Sequence, residues 1–424
     1  MNIRKIMKKG LLVILSVLFS SAVYANPCKL YWSMESYEKA FTPCKVKAEQ
    51  GDAEAQYNLA FMYHDGKGVK EDLQKALFWY FKSAEQGNTN AQNNLGNMYY
   101  YGEGEQQDKV KALNWYTKAA EQGHIDAQYN LGFMYKNGDG VEQDKQKAVY
   151  WFTKAAEEGD SDSQNNLAGM YKRGDGVEQD KEKAVNLYIK AAEQGNFAAQ
   201  YNLAFMYYEG NGVEQDKQKA VYWYTKAAEQ GHPRSQYNLA LMYSEGYGIE
   251  QDKQKAAYWY IKAAEQGHST AQYNLAIMYK EGTGLEQDEQ KALYWYTRSA
   301  EQGFADAQNN LGNAYYYGKG VKQDKIKAIN WYTKAAEQGN SSAQYNLALM
   351  YYEGEGVKQD KIKAVNWYIK AAEQGHSSAQ YYLALMYDEG DGVKQNRSLA
   401  QKYYQQACDG DYQEACNKLK QLTE

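Results

Sequence analysis

Along most of the chain, apolar residues recur with the period of an α-helix, and the pattern itself then recurs. Between Ile125 and Asp160, Ala127, Leu131, Met134 and Tyr135 fall at i, i+4, i+7 and i+8, which is one face of a helix. After a polar gap, Ala148, Trp151, Phe152, Ala155 and Ala156 follow the same logic. The spacing predicts two antiparallel helices. Gly138 and Gly140 permit a tight loop between them, Val141 gives that loop an apolar plug, and Asp144 stands where it caps the second helix. Gly159 suits the left-handed position beyond that helix.

Glycine follows the same helical ending at Gly51, Gly87, Gly123, Gly159, Gly195, Gly231, Gly267, Gly303, Gly339 and Gly375, always 36 residues apart. Ten such units run without a gap over residues 53–412. Composition agrees: 43 Tyr, 36 Gly and only 3 Pro in 424 residues are what one local design yields when copied many times. Gly132, or Ala in its place, lets neighbouring helices approach closely.

The residues AQYNLG at 127–132, the pair Met134-Tyr135, the GDGV loop and KAVYWFTKAAEEG at 147–159 resemble the Sel-one-like repeat family, relatives of tetratricopeptide repeats. The match recurs in all ten units. It implies an all-α fold, a right-handed α-solenoid of about ten two-helix repeats that works as a scaffold for protein contacts. In the same register, residues 26–52 hold a half-repeat in which Ser36 to Gly51 matches a second helix without its first. At the other end, within 411–424, Asp411 to Leu422 matches a first helix without its second. Such terminal pieces cover faces that would otherwise meet a neighbour.

The four cysteines sit only at these ends. Cys408 takes the place of Ala372 in the last turn of a second helix, and Cys416 the place of Gln380 in the first turn of the next. That spacing is similar to the cysteine-rich bacterial branch of the family, in which a bond across this boundary recurs. The resemblance implies a Cys408–Cys416 disulfide that ties the last helix to the stack. Cys28 with Cys44 is expected to clip the preceding segment onto the first half-repeat, whose helix contains Pro43.

Residues 1–25 are of another kind. Arg4, Lys5, Lys8 and Lys9 precede the apolar run Leu11 to Phe19, and Val23-Tyr24-Ala25 offers a cleavage site, so a signal peptide is expected. The run is too short to be a permanent membrane span, and Pro27 before Cys28 argues against a lipoprotein signal. Removal of the four positive charges takes the net charge from −5 to −9. Nucleic acid and anionic membranes are then poor partners. Export to a periplasm or beyond fits oxidised cysteines.

Candidate chemistry is sparse. There is no HExxH and no CxxC pair, so neither a metal site nor a cofactor is expected. His124, His232, His268 and His376 share the slot after the glycine that ends the second helix and read as solvated turn residues, as does His64 on its helix. Ser36 and Lys39 satisfy S-x-x-K, and some cysteine-rich relatives are labelled β-lactamases or penicillin binders. Neither S-D-N nor K-T-G accompanies the motif, and a lysine recurs at this place in Lys75 and Lys111. No catalytic residue is assigned. The EQDKQKA segments read as a helix cap followed by a solvated face. Before Gln-Asp the residue is Glu at Glu142, Glu178, Glu214, Glu250 and Glu286, then Lys at Lys322 and Lys358, with Lys394 before Gln-Asn. Either repeat copying or a charge gradient that orients a partner accounts for the change.

The free face of the first helices is the expected binding groove. In the third unit it carries Asp126, Tyr129, Phe133, Lys136 and Asn137. One series across the units is Tyr57, Tyr129, Tyr201, Tyr237, Tyr273, Tyr345 and Tyr381, with Phe61, Phe133, Phe205, Leu241, Ile277, Leu349 and Leu385 four residues on. The second and eighth units instead carry Asn93 with Asn97 and Asn309 with Asn313, each followed by a tyrosine pair, Tyr100-Tyr101 or Tyr316-Tyr317. The fourth has Asn165 with Gly169. Tyrosine brings contact area at little rotamer cost and asparagine both donor and acceptor, so the alternation suits an extended peptide. Packing of these tyrosines between first helices is the competing account. The amides of the series Asn58, Asn94, Asn130, Asn166, Asn202, Asn238, Asn274, Asn310 and Asn346 are expected to bond backbone between neighbours, a series that Tyr382 breaks. Together these readings predict an exported, non-enzymatic scaffold for a protein or peptide, with cell-wall glycan binding as the alternative and β-lactam hydrolysis as the remaining one.

Overall fold

The computed structural model describes residues 26–423, so the leader expected at 1–25 lies outside the described residues. Among these there are 23 helices and no strand. Each repeat supplies two 13-residue helices, as in Ile125–Asn137 and Lys145–Glu157. Aspartate starts the second: Asp144 Oδ1 accepts from the Lys147 backbone N–H at 2.9 Å, and Asp108, Asp180 and Asp252 cap in the same way. Glycine ends the first, with Gly138 left-handed at φ 77°. Gly140 is needed for a second reason. Its φ is 69°, and a Cβ there would lie 2.4 Å from Lys109 Cβ, so only glycine lets the loop of one repeat rest on the start of the second helix before it.

The chain divides into two compact units, one ending at Met206 with Gly210–Glu214 added, the other formed by Tyr207–Glu209 and everything from Gln215. Within each, successive helices pack on one another, the arrangement of an all-α solenoid. First helices bury Ala, Leu and Met, as at Ala127, Leu131 and Met134, and second helices bury alanines around one large ring, such as Tyr116, Phe152 or Tyr368. A buried glutamine that the apolar pattern does not reveal joins neighbours. Gln92 Nε2 donates to the Ala84 carbonyl of the repeat before at 3.1 Å, and its Oε1 accepts from Gln122 at 2.9 Å.

Two expectations are corrected. Several amides of the series from Asn58 to Asn346 reach side chains rather than the backbone of a neighbour, and Asn166 donates to the Asp162 carbonyl of its own helix. Asn94 and Asn274 donate to the phenols of Tyr80 and Tyr260 at 3.2 Å, whereas Asn130, Asn202 and Asn346 donate to Asn93, Asn165 and Asn309. Nor are the histidines solvated. His124, His268 and His376 are half-buried N-caps whose Nδ1 accepts from the backbone N–H three residues on, at 3.2–3.3 Å. His232 bonds Ser235 Oγ, and His64 bonds both Asp65 and Glu103 of the next repeat.

At the N-terminal end a helix not anticipated from sequence, Pro27–Ser33, precedes Tyr37–Glu49, and Cys28–Cys44 joins the two. At the other end Cys408–Cys416 joins Arg397–Asp409 to Gln413–Thr423. Cys28 and Cys44 are buried at 2% and 0% exposure.

Candidate functional site: the first-helix face

Most of the expected groove tyrosines are half-buried against the large ring of their own repeat's second helix. Tyr57 on Tyr80, Tyr129 on Phe152, Tyr237 on Tyr260, Tyr273 on Tyr296 and Tyr381 on Tyr404 all have centroids 5.9 Å apart, and Tyr345 lies 6.0 Å from Tyr368. Tyr201 is also half-buried. His268 and His376 stack on Tyr237 and Tyr345. These rings therefore line the face with one edge while packing with the other. Phe61 packs on Trp32 at 5.3 Å, Phe205 carries Lys172 at 5.1 Å, and Phe133 is exposed.

The second and eighth repeats depart from this plan because asparagines replace the groove tyrosine and the residue four on, beside a first-helix glycine that the third repeat shares as Gly132. A Cβ on Gly96 or Gly312 would lie 2.6 Å from the ring of Tyr116 or Tyr332, so the ring leans into the space that glycine leaves. From there Tyr116 donates to Asn97 Oδ1 at 2.6 Å and Tyr332 to Asn313 Oδ1 at 2.7 Å. Asn93 Oδ1 accepts from Asn130 at 3.2 Å, and Asn309 Oδ1 from Asn346 at 3.0 Å. The amides expected to meet a ligand with both donor and acceptor thus have their oxygens engaged internally. What remains is their N–H groups, and that of Asn93 donates to Asn94 Oδ1 at 3.5 Å.

The tyrosine pairs also divide. Tyr100 donates to Asp139 at 2.7 Å, which Lys109 holds from the other side at 2.9 Å, and Tyr316 donates to Glu355, which Lys325 holds at 2.7 Å. Burial and the Asp139 carboxylate push Tyr100 up to about 12, while the Glu355 carboxylate followed by burial does the same to Tyr316. Lys109 and Lys325 hold Asp139 and Glu355 below the usual carboxylate range. Tyr100 and Tyr316 are thereby fixed to the loop of the next repeat, whereas Tyr101 and Tyr317 are 65% and 63% exposed.

Two cavities of this face fall at these two repeats. The smaller, about 130 Å³, lies in the first unit among Tyr100, Tyr101, Tyr116, Tyr129, Asn130 and Phe133, with Met134 beneath. The larger, about 620 Å³, lies in the second unit and runs from Lys280, Glu289 and Tyr296 past Asn309, Asn313 and Ala314 to Tyr345 and His376. Sequence reasoning missed Tyr296 and Ala314. The available signal was that Ala314 stands where every other repeat has methionine.

At the S-x-x-K pair, Ser36 Oγ donates to the Met34 carbonyl at 3.5 Å. No group of three or more His, Cys, Asp or Glu among the described residues is placed to hold a metal ion. No described helix is long and apolar enough to cross a membrane.

The Sel1 repeat model matches ten consecutive segments, 53–88, 89–124 and so on to 377–412. A protective antigen present in uropathogenic Escherichia coli strains, displaying an SLR fold, is 37% identical over 95% of this chain and 89% of its own, with a TM-score of 0.83. A Sel1 repeat protein from Oxalobacter formigenes is 34% identical over 73% of this chain and 90% of its own, with a TM-score of 0.58. No curated protein matches. With all ten repeats matched in register, the chain belongs to the Sel1 repeat family.

Proposed function

We propose that this protein is an exported, non-enzymatic adaptor that holds a protein segment in extended form along its first-helix face. The observation that carries this reading is the cavity of about 620 Å³ in the second unit, within the size range of sites that enclose a ligand and bordered by half-buried aromatic rings. Rigid tyrosine edges along most repeats, with amide N–H groups at the second and eighth, suit the side chains and carbonyl groups of an extended backbone. Export is supported by the basic and apolar leader at 1–25 and by two disulfides, which persist in oxidising compartments. The similar E. coli protein being a protective antigen fits a location outside the cytoplasm.

A photo-crosslinking amino acid placed at Tyr317, and in a second variant at Tyr101, tests this in living cells. These positions are exposed, unlike the neighbouring Tyr316 and Tyr100, whose hydroxyls are occupied. A discrete protein adduct identified by mass spectrometry supports the adaptor reading. Adducts to glycan alone would replace it with wall binding, and the absence of adducts at both positions would sink it.

A further inference from the structure

The larger cavity exists because of one residue. Nine repeats place methionine at the tenth position of the first helix, from Met62 to Met386, and all nine are buried at 6% exposure or less. The eighth repeat has Ala314 there, and the space opens onto Tyr296. That phenol is 5% exposed, and its hydroxyl has no hydrogen-bond partner. Its counterparts Tyr80 and Tyr260 each accept from an asparagine of the next repeat, whereas the Tyr368 and Tyr404 hydroxyls are, like it, buried without a partner. Here Asn310 lies near enough to favour the ionised phenol slightly but forms no bond of proper geometry. Of these three unpaired phenols Tyr296 is the one that borders the cavity, where an entering group would offset the cost of leaving it unpaired.

The polar groups around it are of one kind. Asn313 Oδ1 accepts from Tyr332, and Asn309 Oδ1 from Asn346, so their Nδ2 groups face the cavity with no acceptor among the described residues. Lys280 and Lys319 stand at its edge without a carboxylate partner, against the single acid Glu289. A neutral sugar would bring hydroxyl donors to a place where the amide oxygens are already taken. An acceptor-rich anion finds donors on several sides.

We infer that this cavity is a specificity pocket for an acidic side chain of the bound peptide, an Asp or Glu carboxylate seated over Ala314 and meeting the Tyr296 hydroxyl and the Asn313 amide. This rests on the peptide-binding reading above and adds to it which residue the face selects. The overall charge of the chain is −5, so the two lysines make a local exception that draws an acid to this part of the face.

The test is selection of a random peptide library displayed on phage against the protein, with affinities of the selected peptides then measured by calorimetry. Selected peptides should share one Asp or Glu, and its replacement by Asn or Gln should weaken binding roughly tenfold or more. A314M, which restores the residue that the other repeats carry, should fold normally and lose a comparable factor; Y296F should lose less. Peptides without a shared acid, or full affinity in A314M, would overturn the pocket while leaving peptide binding intact. If no peptide is selected, both readings fail, and binding of trigalacturonic acid in that case would reassign the carboxylate chemistry to an acidic glycan.

Discussion

Glu158 stands where Gln128 needs a donor. In seven other repeats the residue at this place is a glutamine whose Nε2 donates to the buried first-helix glutamine, as Gln86 does to Gln56 at 2.7 Å and Gln194 to Gln164 at 2.8 Å. Glutamate has no N–H to offer, and Gln128 Oε1 is buried without a partner. Glu158→Gln should therefore stabilise the third repeat by about 0.5–1.5 kcal/mol. Because repeats open semi-independently, the sensitive measurement is amide hydrogen exchange across 125–160 rather than global melting. Unchanged or faster exchange in the variant would show that the orphaned oxygen is met in another way.

The histidine caps make stability depend on pH. Burial lowers the pKa of His124, His268 and His376, and each must be neutral at Nδ1 to accept its backbone N–H. A lowered folded value means the unfolded chain takes up protons first as pH falls. The stability from these caps is therefore present above the ordinary value of about 6.5 and is lost progressively below it. His64 opposes the trend: burial depresses it, but hydrogen bonds to Asp65 and Glu103 together outweigh burial and raise it. Asparagine caps the same place at Asn88, Asn196 and Asn340, so the triple variant H124N/H268N/H376N should lose less urea resistance between pH 7.5 and 5.5 than the parent does. Equal losses would show that the caps do not titrate with folding.

How far the sequence leads can be seen in these same positions. The 36-residue period, the Asp144 caps and the glycine ends were legible because backbone geometry admits few residue types there, and the signals recur through the ten repeats, with Asn396 in place of aspartate in the last. The histidines misled because position after a glycine says turn, while the capping bond depends on a side-chain conformation. At Asn93 and Asn309 the amide stands in the repeats that border the two cavities, yet which of its atoms is engaged depends on rings and amides of other helices, which the sequence does not place. Ala314 was visible as a break in register, but only the packed helices show that nothing fills the space it leaves.

The two disulfides should differ in their response to reductant. Cys28 and Cys44 are buried, whereas Cys408 and Cys416 are partly open to solvent, and thiol exchange requires access to a sulfur. Dithiothreitol under native conditions should reduce Cys408–Cys416 first. That loss should remove roughly 2–3 kcal/mol from the attachment of the last helix, seen as proteolysis confined to 413–423 by mass spectrometry. Prior reduction of Cys28–Cys44 would refute the ordering.

Gly312→Ala tests how the eighth repeat sets its chemistry. An added methyl would lie 2.6 Å from the Tyr332 ring, and overpacking of that kind typically costs about 1–3 kcal/mol. A second place for the ring exists, however. In repeats with Ala60 and Ala240 at this position, the phenol accepts from the next repeat's asparagine, as Tyr80 does from Asn94 and Tyr260 from Asn274. Tyr332 should swing toward Asn346 in the same way, and the gain of about 1 kcal/mol for alanine over glycine within a helix offsets much of the remaining strain. Stability by urea unfolding should then change by less than about 1 kcal/mol, with Asn313 Oδ1 released to the cavity. Because that adds an acceptor where an acidic side chain is proposed to bind, G312A should weaken acidic peptides without unfolding the repeat. A loss of 3 kcal/mol or more would mean that the ring cannot move, and unaltered binding would mean that the amide is not part of the pocket.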